Sequence, residues 1–339
     1  MRVLVLGAGA VGARTARQLI SVLSVDDLVI IDRNVELRDA VVESLGPPAR
    51  EGTDADLVPD RGDVLVLTAP VPHRPLAERA LERGAHVVST SDAVDDVKAL
   101  LDLDAEARER RLHVVAGAAF SPGLGCVLAA HAATRFDRVD EIHIAKVGTG
   151  GPACARQLHS ALGEAGLDWH DGAWSRRRGG SGRTLCWFPD PVRGTDCYRG
   201  AFPEPLLLTT AFPTLRRVTA RAAANRRDRL TARLPMLRRP HPEGGLGALR
   251  VEVRGRRGAA LDEYVLGAID RPGVAAGTVA AMAAVSLIGG RLSRVGAGGL
   301  AELVEPTPFL ATLADRGVKV AVFEGSTGGG QLVDAADGR

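Results

Sequence analysis

Residues Gly7-Ala8-Gly9-Ala10-Val11-Gly12 place three glycines at G-x-G-x-x-G spacing near the start of the chain. Glycines in this pattern act by leaving room. Gly7 permits a tight turn, Gly9 lets backbone approach a pyrophosphate, and Gly12 lets a helix pack close to its strands. The N–H groups of the helix that opens here, through Ala10 and Val11, suit a phosphate, as does its dipole. Asp32 ends the next apolar run, twenty residues past Gly12. Its carboxylate can accept from both hydroxyls of a ribose and repels a 2′-phosphate, which favours NAD. Arg33 follows at once; it could cover an adenine or pair with a 2′-phosphate, which keeps NADP open.

Other residues could complete such a site. Thr68-Ala69-Pro70 gives a small-residue passage for a cofactor, stiffened by prolines at 70, 72 and 75. Ser89 and Thr90 end a later apolar run and join the same cofactor set. His73 has a free pKa suited to proton transfer, so His73, Lys146 and Asp92 are the catalytic candidates. Asp92 could equally cap a helix start. Ser121-Pro122-Gly123 could present helix N–H groups to a carboxylate. Lys146 is one of three lysines in an arginine-rich chain and ends an alternating strand. Arg193, Asp196 and Tyr198 cluster in a polar loop and could take a zwitterion, the arginine for carboxylate and the aspartate for ammonium. Ser121, Gly123, Lys146, Arg193, Asp196 and Tyr198 thus form the expected substrate set, for a substrate bearing a carboxylate. No His/Cys/Asp spacing suggests a metal, and no G-x-S-x-G elbow occurs.

These residues need a scaffold. Residues 2–6, 28–31, 63–68, 87–89 and 112–116 are short apolar runs separated by segments of helical periodicity. Near-continuous apolar strands between helices predict a parallel sheet covered on both faces. After residue 123 the pattern changes. Residues 139–147, 215–222, 249–253 and 261–269 alternate, which predicts a largely antiparallel sheet with one wet face. The fold class expected is α/β: an N-terminal doubly wound Rossmann domain over 1–123, then an α+β substrate or dimerisation domain over 124–295. A C-terminal segment, 296–339, would return toward the first domain and end in a disordered tail. Arg176–Arg183 reads as a mobile loop. Arg226, Arg229 and Arg233 would share one helix face opposite Leu230, Leu234 and Leu237.

Composition narrows the function classes. The chain has 339 residues, enough for two domains and a large core. A net charge of +2 and 4% aromatic residues argue against a nucleic-acid binder. Four cysteines without CxxC pairing read as reduced thiols of a cytoplasmic protein. The opening MRVLVLGAG is interrupted by glycine too early for a signal peptide. The uncharged stretch 272–290 is rich in Ala and Gly and reads as a buried helix, with no membrane partner expected.

GAGAVG at 7–12, DVLVLTAP at 63–70, AHVVSTSD at 85–92 and AGAAFSPGLG at 116–125 together resemble the saccharopine dehydrogenase-like family. The resemblance covers roughly residues 1–130, is looser over 139–151 and 296–318, and fails to assign 152–295. It implies a nicotinamide-dependent oxidoreductase, acting by hydride transfer at a C–N bond of an amino acid or imine. The alternatives are a dinucleotide-binding protein without catalysis, or a reductase of a C=O or C=C bond. A small-molecule substrate and a homodimer are expected.

Overall fold

The computed structural model describes residues 1–236 and 239–323. The chain divides into two compact units. One comprises Met1–Leu124 and Gly273–Glu305, the other Gly125–Pro272 and the chain from Pro306 on.

The first unit opens with β1 (Arg2–Leu6), α1 (Ala10–Leu19), β2 (Asp27–Ile31), α2 (Val35–Leu45), β3 (Ala49–Glu51) and β4 (Val64–Leu67). It continues with α3 (Arg74–Glu82), β5 (His86–Ser89), α4 (Val94–Leu101), α5 (Asp104–Glu109) and β6 (His113–Ala116). The chain then enters the second unit with α6 (Gly125–Ala133), β7 (Arg138–Val147), α7 (Pro152–Gly163), β8 (Gly166–His170), β9 (Ala173–Arg177), β10 (Thr184–Trp187) and β11 (Gly194–Tyr198). It runs on through α8 (Glu204–Ala211), β12 (Arg217–Ala223), α9 (Arg226–Thr231), β13 (Gly247–Arg257) and β14 (Ala260–Asp270). Beyond these lie α10 (Pro272–Ile288), β15 (Gly296–Gly299), α11 (Leu300–Leu303), α12 (Pro306–Asp315) and β16 (Lys319–Phe323).

The seven strands of the first sheet lie in the order β15-β6-β5-β4-β1-β2-β3, and every pairing is parallel. This is the doubly wound Rossmann arrangement expected from the apolar runs. Val3, Leu4 and Val5, and Val64 through Leu67, are fully buried because helices cover both sheet faces. The strand order reverses beside β1, so loops diverge at the carboxyl ends of β1 and β4, where such sheets bind ligands. The stretch read as a buried helix is α10. It lies against α1, and Gly277 permits the approach: a Cβ there would sit 2.5 Å from Cβ of Arg14 and 2.8 Å from the Thr15 nitrogen.

The second sheet has nine strands, along the path β10-β11-β12-β7-β13-β14-β16, with β8 and β9 branching from β12. Within this sheet, among the described strands, only the β12–β7 pair is parallel; its remaining pairings are antiparallel. The β13–β14 hairpin pairs Arg257 with Ala260, so Gly258 and Ala259 alone make the turn, Gly258 with φ +60°.

Several boundaries differ from the sequence reading. The second unit does not run to 295, because residues 273–305 supply α10 and β15 to the first unit. The C-terminal segment is split, since β16 pairs with β14 of the second sheet. The expected disordered tail lies outside the described residues. Residues 94–111 form two helices, because the chain leaves helix at Asp102 and Leu103. The arginine-rich 176–183 stretch is not a free loop. Its start completes β9, and Gly180 and Ser181 exchange backbone hydrogen bonds with Arg199. The helix at 226 ends at Thr231, with Leu230 74% exposed and Leu234 58% exposed, so the leucines face outward and Arg233 falls beyond it. Leu237 lies outside the described residues.

Candidate functional site

The glycine loop has three distinct steric jobs. Gly7 adopts φ +109°, and a Cβ there would lie 2.7 Å from both the Ala69 nitrogen and Oγ1 of Thr68. A Cβ on Gly12 would overlap the Gly7 carbonyl oxygen. Gly9 is exposed, and a Cβ on it would meet nothing within 4 Å. The protein therefore needs Gly7 and Gly12 for its own folding, while Gly9 keeps open the space outside the loop. Gly9 also caps α1 without a side chain, and the first turn of α1 carries no acidic residue. Neither the cap nor the first turn of α1 supplies a negative side chain to its positive end, where Ala10 and Val11 are half-buried.

Asp32 is pinned from two sides. Its Oδ2 accepts from the Ala8 N–H at 2.6 Å and its Oδ1 from the Asn34 N–H at 2.8 Å. The carboxylate remains half-exposed at the tip of β2, so each oxygen keeps acceptor capacity for a ribose diol. Arg33 is exposed beside it.

Thr68 works inside the scaffold. Its Oγ1 donates to the carbonyls of Leu6 and Gly7, at 2.9 and 3.0 Å by distance, clamping the β4 loop to the glycine loop. Ala69 and Pro70 lie outward of that clamp, half-buried and exposed. Ser89 is buried and meets the His73 ring, and Thr90 Oγ1 donates to the Leu67 carbonyl at 3.0 Å. The hydroxyls of these two support the loops.

His73, a catalytic candidate in the sequence, is enclosed by the protein. It is buried at the start of α3, with Nδ1 2.7 Å from Ser89 Oγ and Nε2 2.9 Å from the Ala69 carbonyl. Its backbone N–H donates to Asp96 Oδ1, which sequence reasoning missed because Asp96 reaches across from α4. Burial holds the imidazole below its ordinary pKa, so it stays neutral and fixes two loops. Asp92 is half-buried, and the N-cap of α4 is Ala93 rather than Asp92. Ser121 and Gly123 are both buried within the wide turn Phe120–Leu124, where a Cβ on Gly123 would stand 2.8 Å from the Gly117 carbonyl oxygen.

In the second unit Lys146 is not a surface lysine. It is buried, donates to Glu204 Oε1 at 3.0 Å, and lies 4.5 Å from the centroid of the Phe202 ring. Glu204 balances its charge, so Lys146 is an ion-paired group and not a lone surface cation. No sequence signal marked Glu204, which precedes a proline at the start of α8. Arg193 is 75% exposed and pairs with Asp190, away from a shared site with Asp196. Asp196 and Tyr198, by contrast, line one cavity of about 460 Å³ together with Arg183, Asn225, Arg226 and Arg229. Among the described residues no three His, Cys, Asp or Glu side chains group as metal ligands, and no helix is long and apolar enough to cross a membrane.

No family model matches this chain, and no curated protein matches it. Among solved structures it is similar to apo saccharopine dehydrogenase (L-Glu forming) from Saccharomyces cerevisiae. The TM-score is 0.69 at 13% identity, with 95% of this chain and 99% of that chain covered. It is also similar to a DAP dehydrogenase from C. glutamicum, with TM-score 0.49, 15% identity, and 94% and 99% covered. A probable dehydrogenase from Thermotoga maritima gives TM-score 0.46, 12% identity, and 92% and 93% covered. The first of these shows the fold over 95% of this chain.

Proposed function

We propose that this chain is an NAD(P)-dependent oxidoreductase of the saccharopine dehydrogenase-like type, acting at a C–N bond of an amino acid or imine. One observation carries the reading. Gly9 leaves open space above a helix start with no acidic residue in its first turn, while Asp32 is fixed against the same loop by the Ala8 N–H with acceptor capacity to spare. That combination fits a pyrophosphate and its ribose together. Gly9, Ala10 and Val11 would hold the pyrophosphate, and Asp32 the ribose, which favours NAD. When bound, the nicotinamide supplies the hydride chemistry. Thr68, Ser89 and His73 keep the surrounding loops in place. The choice of a C–N bond and of an amino-acid substrate rests on the similar structure, a saccharopine dehydrogenase, and on the TSD and SPG stretches.

The test is a fluorescence titration with NADH and NADPH, followed by turnover assays on imines formed from amino acids and carbonyl compounds. NADH binding without turnover on any imine, carbonyl or C=C panel favours the non-catalytic reading. The locked His73 is the observation that keeps this second reading in play. Absence of dinucleotide binding removes both.

A further inference from the structure

The cavity between the 178–183 loop and α9 is built from positive groups. Arg183, Arg226 and Arg229 face it, against Asp196 alone, with Tyr198 and Asn225 completing its wall. Arg229 lies over the Tyr198 ring, its Cζ 4.0 Å from the centroid, and its Nη1 donates to the Gly180 carbonyl. Its Nε is shielded from solvent and finds no acceptor among the described residues. A buried N–H of a charged group left without a partner carries a full desolvation cost. An oxyanion in the cavity would be met by the guanidinium groups of Arg226 and Arg229 that line it.

The loop is shaped for close approach. Gly180 and Gly182 adopt φ +67° and +64°, which L side chains rarely take. A Cβ on Gly182 would overlap the Arg199 guanidinium, and the Gly182 carbonyl accepts from Arg221 Nη1 at 2.6 Å. Arg199 is held by Asp168 at 2.9 Å. Burial, and next the charge of Arg199, push the Arg221 guanidinium below its ordinary pKa, as expected beneath a surplus of positive charge.

We propose that this pocket of the second unit binds a small molecule through a carboxylate or phosphate group, with Arg229 and Arg226 as its main anchors. Asp196, now paired with Arg183 at 2.9 Å, sets the limit on how much negative charge the site accepts. The inference stands apart from the oxidoreductase reading and needs no dinucleotide.

The test uses the full chain, with sodium phosphate, sodium succinate and sodium chloride compared at equal ionic strength by calorimetry and thermal melting. Phosphate or succinate is expected to bind saturably and raise Tm where chloride does not. Preference for one of the two names the source of the oxyanion. Arg226→Ala, at an exposed side chain that leaves the fold undisturbed, and Arg229→Gln should each weaken that binding at least tenfold. Gly9→Val should leave it unchanged. If neither anion is distinguished from chloride, or if Arg226→Ala binds as wild type does, the pocket assignment fails. Loss of the anion in Gly9→Val instead would move the binding to the glycine loop and overturn it equally.

Discussion

Lys146 on β7 donates to Glu204 at the start of α8 across 3.0 Å, and both side chains are buried. In the sheet register Lys146 stands between Ala222 on β12 and Leu249 on β13, so its stem lies in the middle of the sheet. The pair therefore joins α8 to the sheet centre. The charge lies inside the protein: burial, then Glu204, push the Cys126 thiol well above its ordinary pKa. A buried ion pair of this kind is weak evidence for net stability, because desolvation offsets the attraction.

Breaking it from one side is another matter. Lys146→Met leaves the Glu204 carboxylate buried beside an alkyl chain, and should cost about 3–5 kcal/mol. Lys146→Met combined with Glu204→Met should recover much of that loss, because no charge is then left alone. Urea unfolding of the three variants measures both effects. A single variant as stable as wild type would show that water or another group takes up the charge.

Two glycines of one loop should fail in different ways. Gly12→Ala puts a methyl group onto the Gly7 carbonyl oxygen and should destabilise the first unit, visible as a lower Tm. The Cβ of Gly9→Val meets no atom within 4 Å, so Tm should hold while dinucleotide binding is abolished. Near-unchanged NADH affinity in a folded Gly9→Val protein would refute the cofactor assignment.

Asp32→Ala removes two things at once, the ribose acceptor and the anchor of the Ala8 N–H. Charge-assisted hydrogen bonds contribute about 1.5–3 kcal/mol, so NADH affinity should fall roughly tenfold to a hundredfold. Discrimination against NADPH should relax with it. Titration with both cofactors decides this. If wild type already prefers NADPH and Arg33→Ala abolishes the preference, Arg33 rather than Asp32 sets cofactor choice.

The parallel sheet was legible because its strands are buried on both faces and read as unbroken apolar runs. The glycine loop was legible because its constraint is steric and local, carried by residue type alone. β3 was missed, since an edge strand of three residues, Ala49–Glu51, has no apolar pattern to show. β8 to β11 were missed for a related reason: Trp174, Leu185 and Trp187 stay exposed, so polar and apolar residues do not sort by face. Whether a charged residue is buried depends on its partner. Lys146 and Glu204 lie 58 positions apart, and His73 reaches Ser89 and Asp96 across two loops. No spacing rule foresees those contacts. The arginines at 226 and 229 were noticed, but Arg229 turns inward because Tyr198 offers its ring, and the leucines take the exposed side.

Acid should destabilise the protein earlier than its carboxylates alone would. His86 at the start of β5 accepts on Nδ1 from the His113 backbone N–H at 3.2 Å, which requires that nitrogen to be unprotonated. Burial, then the neighbouring His113, push its pKa down to about 4 from an ordinary 6.5. His73 and His113 are shifted in the same direction, chiefly by burial. The sign follows from linkage. Above about pH 6.5 the imidazole is neutral in both states and its contribution is complete. As pH falls from about 6.5 toward 4, the unfolded chain takes up the proton first and folding stability declines. Asp56 and Glu252, held below their ordinary values by backbone hydrogen bonds and by Arg254 respectively, lose their contributions only in more acid solution. Urea midpoints measured at about pH 7 and about pH 5 should therefore differ in wild type. His86→Gln keeps a side-chain acceptor and removes the titration, so it should narrow the difference. If the difference is the same in both proteins, His86 is not the group that senses the acid.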